Sequence, residues 1–272
     1  MAVDLVTKKE FNNQITEEKK AIKEIDKDIN MLKRAMTSNK KLEPFYRIGI
    51  ASRNLHQLVQ YIEMNARSER MMGVKNSSYL DEAKKKFSTI FTELDKVVTL
   101  RTDEPVDFNR ENLDKIKPFN PRKKLNFVKH LQKALKELIH AYGENTKWRW
   151  SFPDLWSKLV IISKNLLDYR EIQSIRDPRE EFYYDRQEHL QLVKDMLFEV
   201  SNKFRNKFEL SSKSDNDLMM AVKLLRDLRS ISSVMGDDEM AKKAKSGIDA
   251  YMARLEKDKP KKGGAKKRRK KK

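Results

Sequence analysis

The sequence contains no cysteine, and only seven of its 272 residues are glycine and seven are proline. The lack of cysteine excludes disulfide bonds, thiolate metal ligands and cysteine nucleophiles, and it is typical of an intracellular protein. So few glycines leave little material for phosphate-binding loops. Because residues that break helices are rare and Lys, Glu, Leu and Ala are frequent, the composition favours long helices.

Long apolar runs are also missing. No segment approaches the roughly 18 consecutive apolar residues that a membrane-spanning helix requires. The N-terminal residues MAVDLVTKKEFNN contain no apolar run of secretory length, so we expect no signal peptide. We therefore expect no transmembrane segment and a cytoplasmic location, or a nuclear one in a eukaryotic host.

Sequence patterns that carry catalytic or metal chemistry are absent. The chain has neither a Gly-x-Ser-x-Gly elbow nor a P-loop. It has one Glu-x-x-His pair, Glu137 with His140, whereas a di-iron bundle requires two such pairs and two further glutamates. Asp185 and His189, four residues apart, form a second ligand pair or a simple helical contact. We expect no catalytic residue, no metal and no cofactor, and predict a non-enzymatic protein.

Positive charge is what the chain has in excess. Its 60 Lys and Arg residues against 41 Asp and Glu residues give a formal net charge of +19. The last fourteen residues, KPKKGGAKKRRKKK, include ten basic residues and no acidic one, so this tail carries about half of the net charge. The basic residues of the tail are Lys259, Lys261, Lys262, Lys266, Lys267, Arg268, Arg269, Lys270, Lys271 and Lys272.

The basic tail predicts a polyanionic partner. Pro260 and the glycines at 263–264 oppose continuation of a helix, and like charges repel, so we predict that residues 259–272 are disordered. Lys and Arg contacts to phosphate carry no base information. We therefore expect sequence-independent binding to nucleic acid, RNA more than a specific DNA site, or to a nucleoprotein assembly. Tethering to an anionic membrane and nuclear localisation are alternative uses of the same charges.

The first long segment has the clearest periodicity. Apolar residues recur in alternating steps of four and three over residues 11–36, and only Glu18 interrupts the series. This heptad pattern predicts a helix of roughly 30 residues. Two interpretations stay open: the helix is one arm of an antiparallel bundle within the chain, or it forms a homo-oligomeric coiled coil.

The rest of the chain also has helical spacing and no strand pattern. We predict an all-α fold of about eight helices in antiparallel hairpins. Residues 1–101 would form a three-helix segment and residues 102–120, rich in Pro, Asp and Asn, a connection. Residues 121–258 would form a second helical segment, in which Ser151 caps the fifth helix and Asp177-Pro178 begins the sixth. Two bundle-like halves and one continuous array of hairpins both fit this pattern.

The last predicted hairpin resembles part of a tetratricopeptide repeat. Residues 235–241, MGDDEMA, resemble the turn and second-helix start of that repeat, although Lys245 stands where the repeat has an aromatic residue. The chain shows no second copy at a period near 34 residues. The resemblance therefore implies one hairpin, and we do not predict a repeat array.

Two short stretches of the body are candidate binding residues. Arg122, Lys123 and Lys124 open a predicted helix beside the long connection and could extend an anion-binding surface. Residues 147–156, KWRWSFPDLW, contain all three tryptophans with cations between them. If exposed, Trp148 and Trp150 could stack on nucleobases, or belong to a membrane interface; the alternative is a core or lid role. A helical scaffold that binds proteins through its helix faces is our second functional hypothesis.

Overall fold

The computed structural model describes residues 4–143 and 146–258. Within these ranges the chain forms helices and turns and no strand, which confirms the all-α prediction. A 3₁₀ turn at Lys40–Leu42, another at Arg149–Ser151 and a π turn at Phe208–Ser212 join some of the helices. The α-helices are α1 (Leu5–Ser38), α2 (Glu43–Met72), α3 (Ser77–Val98), α4 (Arg110–Lys115), α5 (Pro121–Tyr142), α6 (Phe152–Asn165), α7 (Tyr169–Ser174), α8 (Tyr183–Lys207), α9 (Asp215–Val234) and α10 (Asp238–Asp258).

The described residues contain ten α-helices where the sequence predicted about eight. The two additional helices, α4 and α7, have six residues each, too few for an apolar period to show. The sixth predicted helix, expected at Asp177-Pro178, corresponds to α8 and begins at Tyr183, after Phe182 in a left-handed conformation with φ 61°. Ser151 does not cap α6, because its hydroxyl donates to the carbonyl of Trp148 at 2.8 Å.

Other helix ends follow the residues that the sequence offers. The side chain of Asn76 accepts from the backbone N–H of Ser78 at 3.1 Å, at the start of α3. Asn120 caps α5 in the same way, ahead of a proline at the first helical position. Gly73 ends α2 with a φ of 66°, a left-handed conformation that glycine adopts without steric cost.

The heptad seam of α1 packs against α2 of the same chain. Its buried residues include Ile22, whose carbonyl accepts from the Gln57 amide of α2 at 3.1 Å. The interruption at Glu18 has a partner there, since its carboxylate lies 2.7 Å from the guanidinium of Arg67. The intramolecular interpretation is therefore correct. The apolar face of residues 11–36 is therefore not free to pair with a second copy of the chain, because the turn after α1 folds α2 back over this face.

One continuous hydrophobic core runs from α2 to α10. Leu113 and Ile116, from the predicted connection, are buried in this core. Helix α2 packs on α5, and α3 packs on α5 and α6, so contacts cross the connection from both sides. None of the described helices is both long and apolar enough to cross a membrane.

A buried ion pair between α6 and α9 also binds the segment that follows α3. The ammonium of Lys164 in α6 lies 3.4 Å from the Asp227 carboxylate of α9. The hydroxyl of Thr102 and the backbone N–H of Asp103 both donate to the same carboxylate. Burial raises the pKa of Asp227, and Lys164 together with these hydrogen bonds opposes the rise. The pair therefore joins α6, α9 and the start of the connection.

We predict that replacing Asp227 with alanine lowers the free energy of unfolding by about 3–5 kcal/mol, because it leaves the Lys164 ammonium buried without its counter-charge. Urea denaturation followed by circular dichroism measures this loss. The double variant Lys164→Met with Asp227→Leu should lose less than Asp227→Ala, since no buried charge is left unpaired. A single variant as stable as the wild type would contradict the assignment.

Candidate polyanion-binding surfaces

The ten basic tail residues predicted to bind a polyanion lie in residues 259–272, outside the described part of the chain. Their predicted disorder and their binding role stay predictions. The candidates that the structure does describe belong to three places on the helical body: the first turn of α5, the tryptophan-rich segment before α6, and a cavity beside the turn between α1 and α2.

The cluster at the start of α5 is smaller than the sequence suggested. Arg122 and Lys123 are exposed, but Lys124 is only 8% exposed and faces inward. Consecutive helical residues point about 100° apart, so three in a row cannot share one face. Burial lowers the pKa of Lys124, against the influence of Glu171 and Asp168. Lys124 is therefore not part of the exposed cluster.

Arg122 already has a protein partner. Its guanidinium lies 3.3 Å from the carboxylate of Asp185 and 5.4 Å from the ring centroid of Phe182. Asp185 is thus engaged by Arg122 and is not paired with His189 as a ligand. Lys123 is the one exposed residue of the three that forms no ion pair with the described residues. This cluster offers a single uncompensated charge.

His189 of α8 lies in the core, close to Lys124. It is 1% exposed, and its Nε2 has no hydrogen-bond partner among the described residues. Burial, and then the positive charge of Lys124, lower the pKa of His189 from 6.5 to about 3. The imidazole is therefore neutral in the folded protein at physiological pH.

Trp148 and Trp150 differ in what covers them. Trp148 packs against the main core, edge-on to Tyr142 with ring centroids 6.5 Å apart. The ammonium of Lys84 lies 3.9 Å from the centre of the Trp148 indole, so one face of that ring is occupied. Trp150 instead lines an open cavity of about 260 Å³ together with Trp156. Both indoles are half-buried, and of the two predicted stacking residues Trp150 is the one that lines this cavity.

A cavity lined by lysines is a further basic feature of the described surface, and the sequence did not reveal it. The cavity has a volume of about 470 Å³. Lysines from three separate segments line it: the turn after α1, the last turn of α3 and the end of α4. These lysines are Lys40, Lys41, Lys96 and Lys115.

The charge of this lysine cavity is uncompensated. All four lysines are exposed, and none forms an ion pair with another described residue. The one acidic residue of the lining, Glu43, accepts from Arg47 at 2.5 and 2.8 Å. Arg47 is in turn paired with Glu93 at 2.7 Å. The Glu43 carboxylate is therefore engaged by Arg47 and forms no ion pair with the four lysines.

The predicted ligand pair of Glu137 and His140 lines a groove between α2 and α5. Glu69 belongs to the same groove, whose walls include Ile62 and Ala66. Within residues 4–143 and 146–258, no group of three or more His, Asp or Glu side chains is arranged to hold a metal ion. The separate lysine cavity is no metal site either, because Lys40, Lys41, Lys96 and Lys115 carry ammonium groups, which bind anions and not cations. We therefore assign no metal ligand.

The fold and these surfaces define a class: an all-α protein of helical hairpins with basic and aromatic cavities on its described surface. Comparison with known protein families matches residues 7–259 to the TP0443 family. Because the match spans most of the chain, the protein belongs to the TP0443 family. Comparisons with curated proteins and with solved structures gave no match.

We predict that His189 makes stability depend on pH. The pKa of His189 is lower in the folded state. Below pH 6.5 the imidazole is therefore protonated in the unfolded chain while it is still neutral in the folded one. Above pH 6.5 the protonation of His189 does not lower the free energy of unfolding. As the pH falls from 6.5 towards about 3, the free energy of unfolding decreases by roughly 1.4 kcal/mol per pH unit.

Replacing His189 with glutamine should remove this dependence. Between pH 7 and 5, urea denaturation should show the wild type losing about 2 kcal/mol more than the variant. His130→Gln, at an exposed position of α5, serves as the control and should keep the wild-type pH profile. Parallel profiles for wild type and His189→Gln would show that the imidazole is not excluded from protonation.

Proposed function

We propose that this is a non-enzymatic helical protein that binds nucleic acid, foremost RNA, or a nucleoprotein assembly, through contacts to phosphate. The lysine cavity carries this proposal, because four exposed lysines that form no ion pair with the described residues line one cavity of about 470 Å³. The basic tail adds ten further charges, and the sequence supplies no pattern of catalytic residues.

The lysine cavity supports phosphate binding for an electrostatic reason. Four ammonium groups close together repel one another, and a polyanion relieves that repulsion while it releases its own counterions. Lysine acts as a point charge without a fixed fork geometry. The contact is therefore expected to be strong at low salt, steeply dependent on salt and indifferent to base sequence.

The cavity and the tail have different roles in this proposal. The lysines are held by α3, by α4 and by the turn between α1 and α2, so their spacing is set by the fold. A basic segment attached to such a body would raise the local concentration of phosphate at the cavity. The absence of cysteine supports an intracellular setting for this activity.

The alternative is a helical scaffold that binds proteins through its helix faces, with the tail tethering it to an anionic membrane or another polyanion. This alternative has weaker support. The large apolar residues exposed on α1 are the neighbours Leu5 and Val6, and Met31 far from them along the helix. Small exposed apolar groups of this kind are ordinary on protein surfaces. A nucleic-acid partner is favoured because the concave basic surface is the more specific feature.

We predict that replacing all four cavity lysines with glutamine weakens RNA binding. Fluorescence anisotropy with a labelled duplex RNA should show the slope of log affinity against log salt becoming shallower by up to about 3.6, since each phosphate contact contributes about 0.9. At low salt the affinity should fall at least tenfold. Deleting residues 259–272 should reduce the slope further, by up to about 9.

A matched variant controls for net charge. Lys8, Lys9, Lys19 and Lys23 are exposed on α1, and their replacement by glutamine removes the same four charges. This control should change the slope by less than one unit, because long-range charge contributes less than a bound phosphate. Equal losses from the two variants, or no RNA binding by the wild type at low salt, would refute the proposal.

A further inference from the structure

A second cavity combines aromatic rings with cations. It lies where the 3₁₀ turn Arg149–Ser151 and the start of α6 meet the end of α8 and the π turn Phe208–Ser212. Its volume is about 260 Å³. The lining residues that matter below are Arg149, Trp150, Trp156, Lys203, Asn206 and Leu210.

Each indole of this aromatic cavity has a cation over it. The Arg149 guanidinium lies 5.1 Å from the Trp150 ring centroid, and the Lys203 ammonium lies 5.5 Å from that of Trp156. No acidic residue belongs to the described lining. Lys203 is also paired with Glu199 at 2.8 Å, but Glu199 is exposed and can yield to an incoming anion. The cavity thus offers a π surface and positive charge together.

The aromatic cavity is open rather than part of the core. Trp150 is half-buried, and Leu210 beside it is 67% exposed. Leaving both side chains partly in water forgoes the free energy of burying apolar area, about 25 cal/mol per Å². The wall that carries Leu210 is a π turn, a rare conformation that often marks functional sites. A planar apolar ligand would cover the exposed surfaces.

Asn206 supplies a polar group on the rim. Its side-chain oxygen accepts from Arg205 at 3.3 Å, which leaves the amide NH₂ without a partner among the described residues. An NH₂ group in this position can donate to a ring carbonyl or ring nitrogen. The aromatic cavity therefore combines a stacking surface, two cations and one neutral donor, which are the groups that a nucleotide requires.

We propose that the aromatic cavity receives one unpaired nucleobase of a single-stranded RNA. The base stacks on Trp150, the phosphates beside it contact Arg149 and Lys203, and the Asn206 amide donates to the edge of the base. A paired base cannot enter, because both of its faces are stacked within the helix. The inference rests on the proposed RNA binding and adds to it a preference for single strands.

The test compares Trp150→Leu with Trp150→Phe. Leucine removes the stacking surface, whereas phenylalanine keeps a smaller one. Binding to single-stranded RNA should weaken roughly tenfold in Trp150→Leu, in line with the loss of one stacked base, and less in Trp150→Phe. Binding to duplex RNA should change less than twofold in both variants. Trp148→Phe, at the covered indole, is the matched control and should bind both RNAs as the wild type does.

A second pair of measurements does not depend on changing a tryptophan. The variant Arg149→Gln with Lys203→Gln should make the salt slope for single-stranded RNA shallower by about 1.4, since each contact to a single strand contributes about 0.7. An abasic strand of the same length should bind the wild type as weakly as the intact strand binds Trp150→Leu. This comparison removes the base and leaves the protein intact.

The outcomes separate the two proposals. If Trp150→Leu binds single strands as the wild type does and the abasic strand binds equally well, the base cavity is refuted, while duplex binding lost with the cavity lysines would still support the proposed function. If the wild type binds neither RNA at low salt, both proposals fail. Tenfold weaker binding confined to single strands supports the inference.

Discussion

The buried ion pair between Lys164 and Asp227 is the interaction on which the arrangement of the surface depends. Asp227 receives Thr102 and the backbone of Asp103, immediately after α3 ends. That contact fixes the direction in which the chain leaves α3 and thereby the path to α4. Because α3 and α4 each contribute a lysine to the lysine cavity, this polar contact lies on the segment that joins two of the elements lining it.

The cationic side chains in the core and those on the surface differ in their partners. Two buried cations are paired: Lys164 with Asp227, and Arg186 with Glu171 at 2.6 Å, which offsets the cost of removing a charge from water. Lys124 is also buried but forms no ion pair with the described residues, and burial lowers its pKa. The lysines of the lysine cavity remain in water, where mutual repulsion is weak enough to tolerate but is not zero. Because four exposed lysines line one cavity, the electrostatic energy of that surface is expected to fall when an anion binds there.

The sequence predicted the long helices well, but it did not predict which residues from different helices lie close together, and both results have physical reasons. Helices such as α1, α5 and α9 repeat an apolar period often enough to be recognised, whereas α4 and α7 are too short. Whether the seam of α1 meets its own chain depends on the turn after it, which periodicity does not encode. The inward direction of Lys124 depends on the rotation of α5 against α8. The lysine cavity unites positions more than seventy residues apart along the chain, so charge runs in the sequence could not reveal it.

In the proposed function, the two body cavities and the tail would contribute differently to binding. The charges of the basic tail would provide attraction at a distance and no discrimination. Four lysines set by the fold add a place where phosphate must lie, yet any backbone satisfies them. Only the aromatic cavity offers a surface that duplex and single strand meet differently, because Trp150 can stack on a base that is free of its partner. Selectivity in this protein is therefore expected to come from the body, although about half of the net charge belongs to the tail.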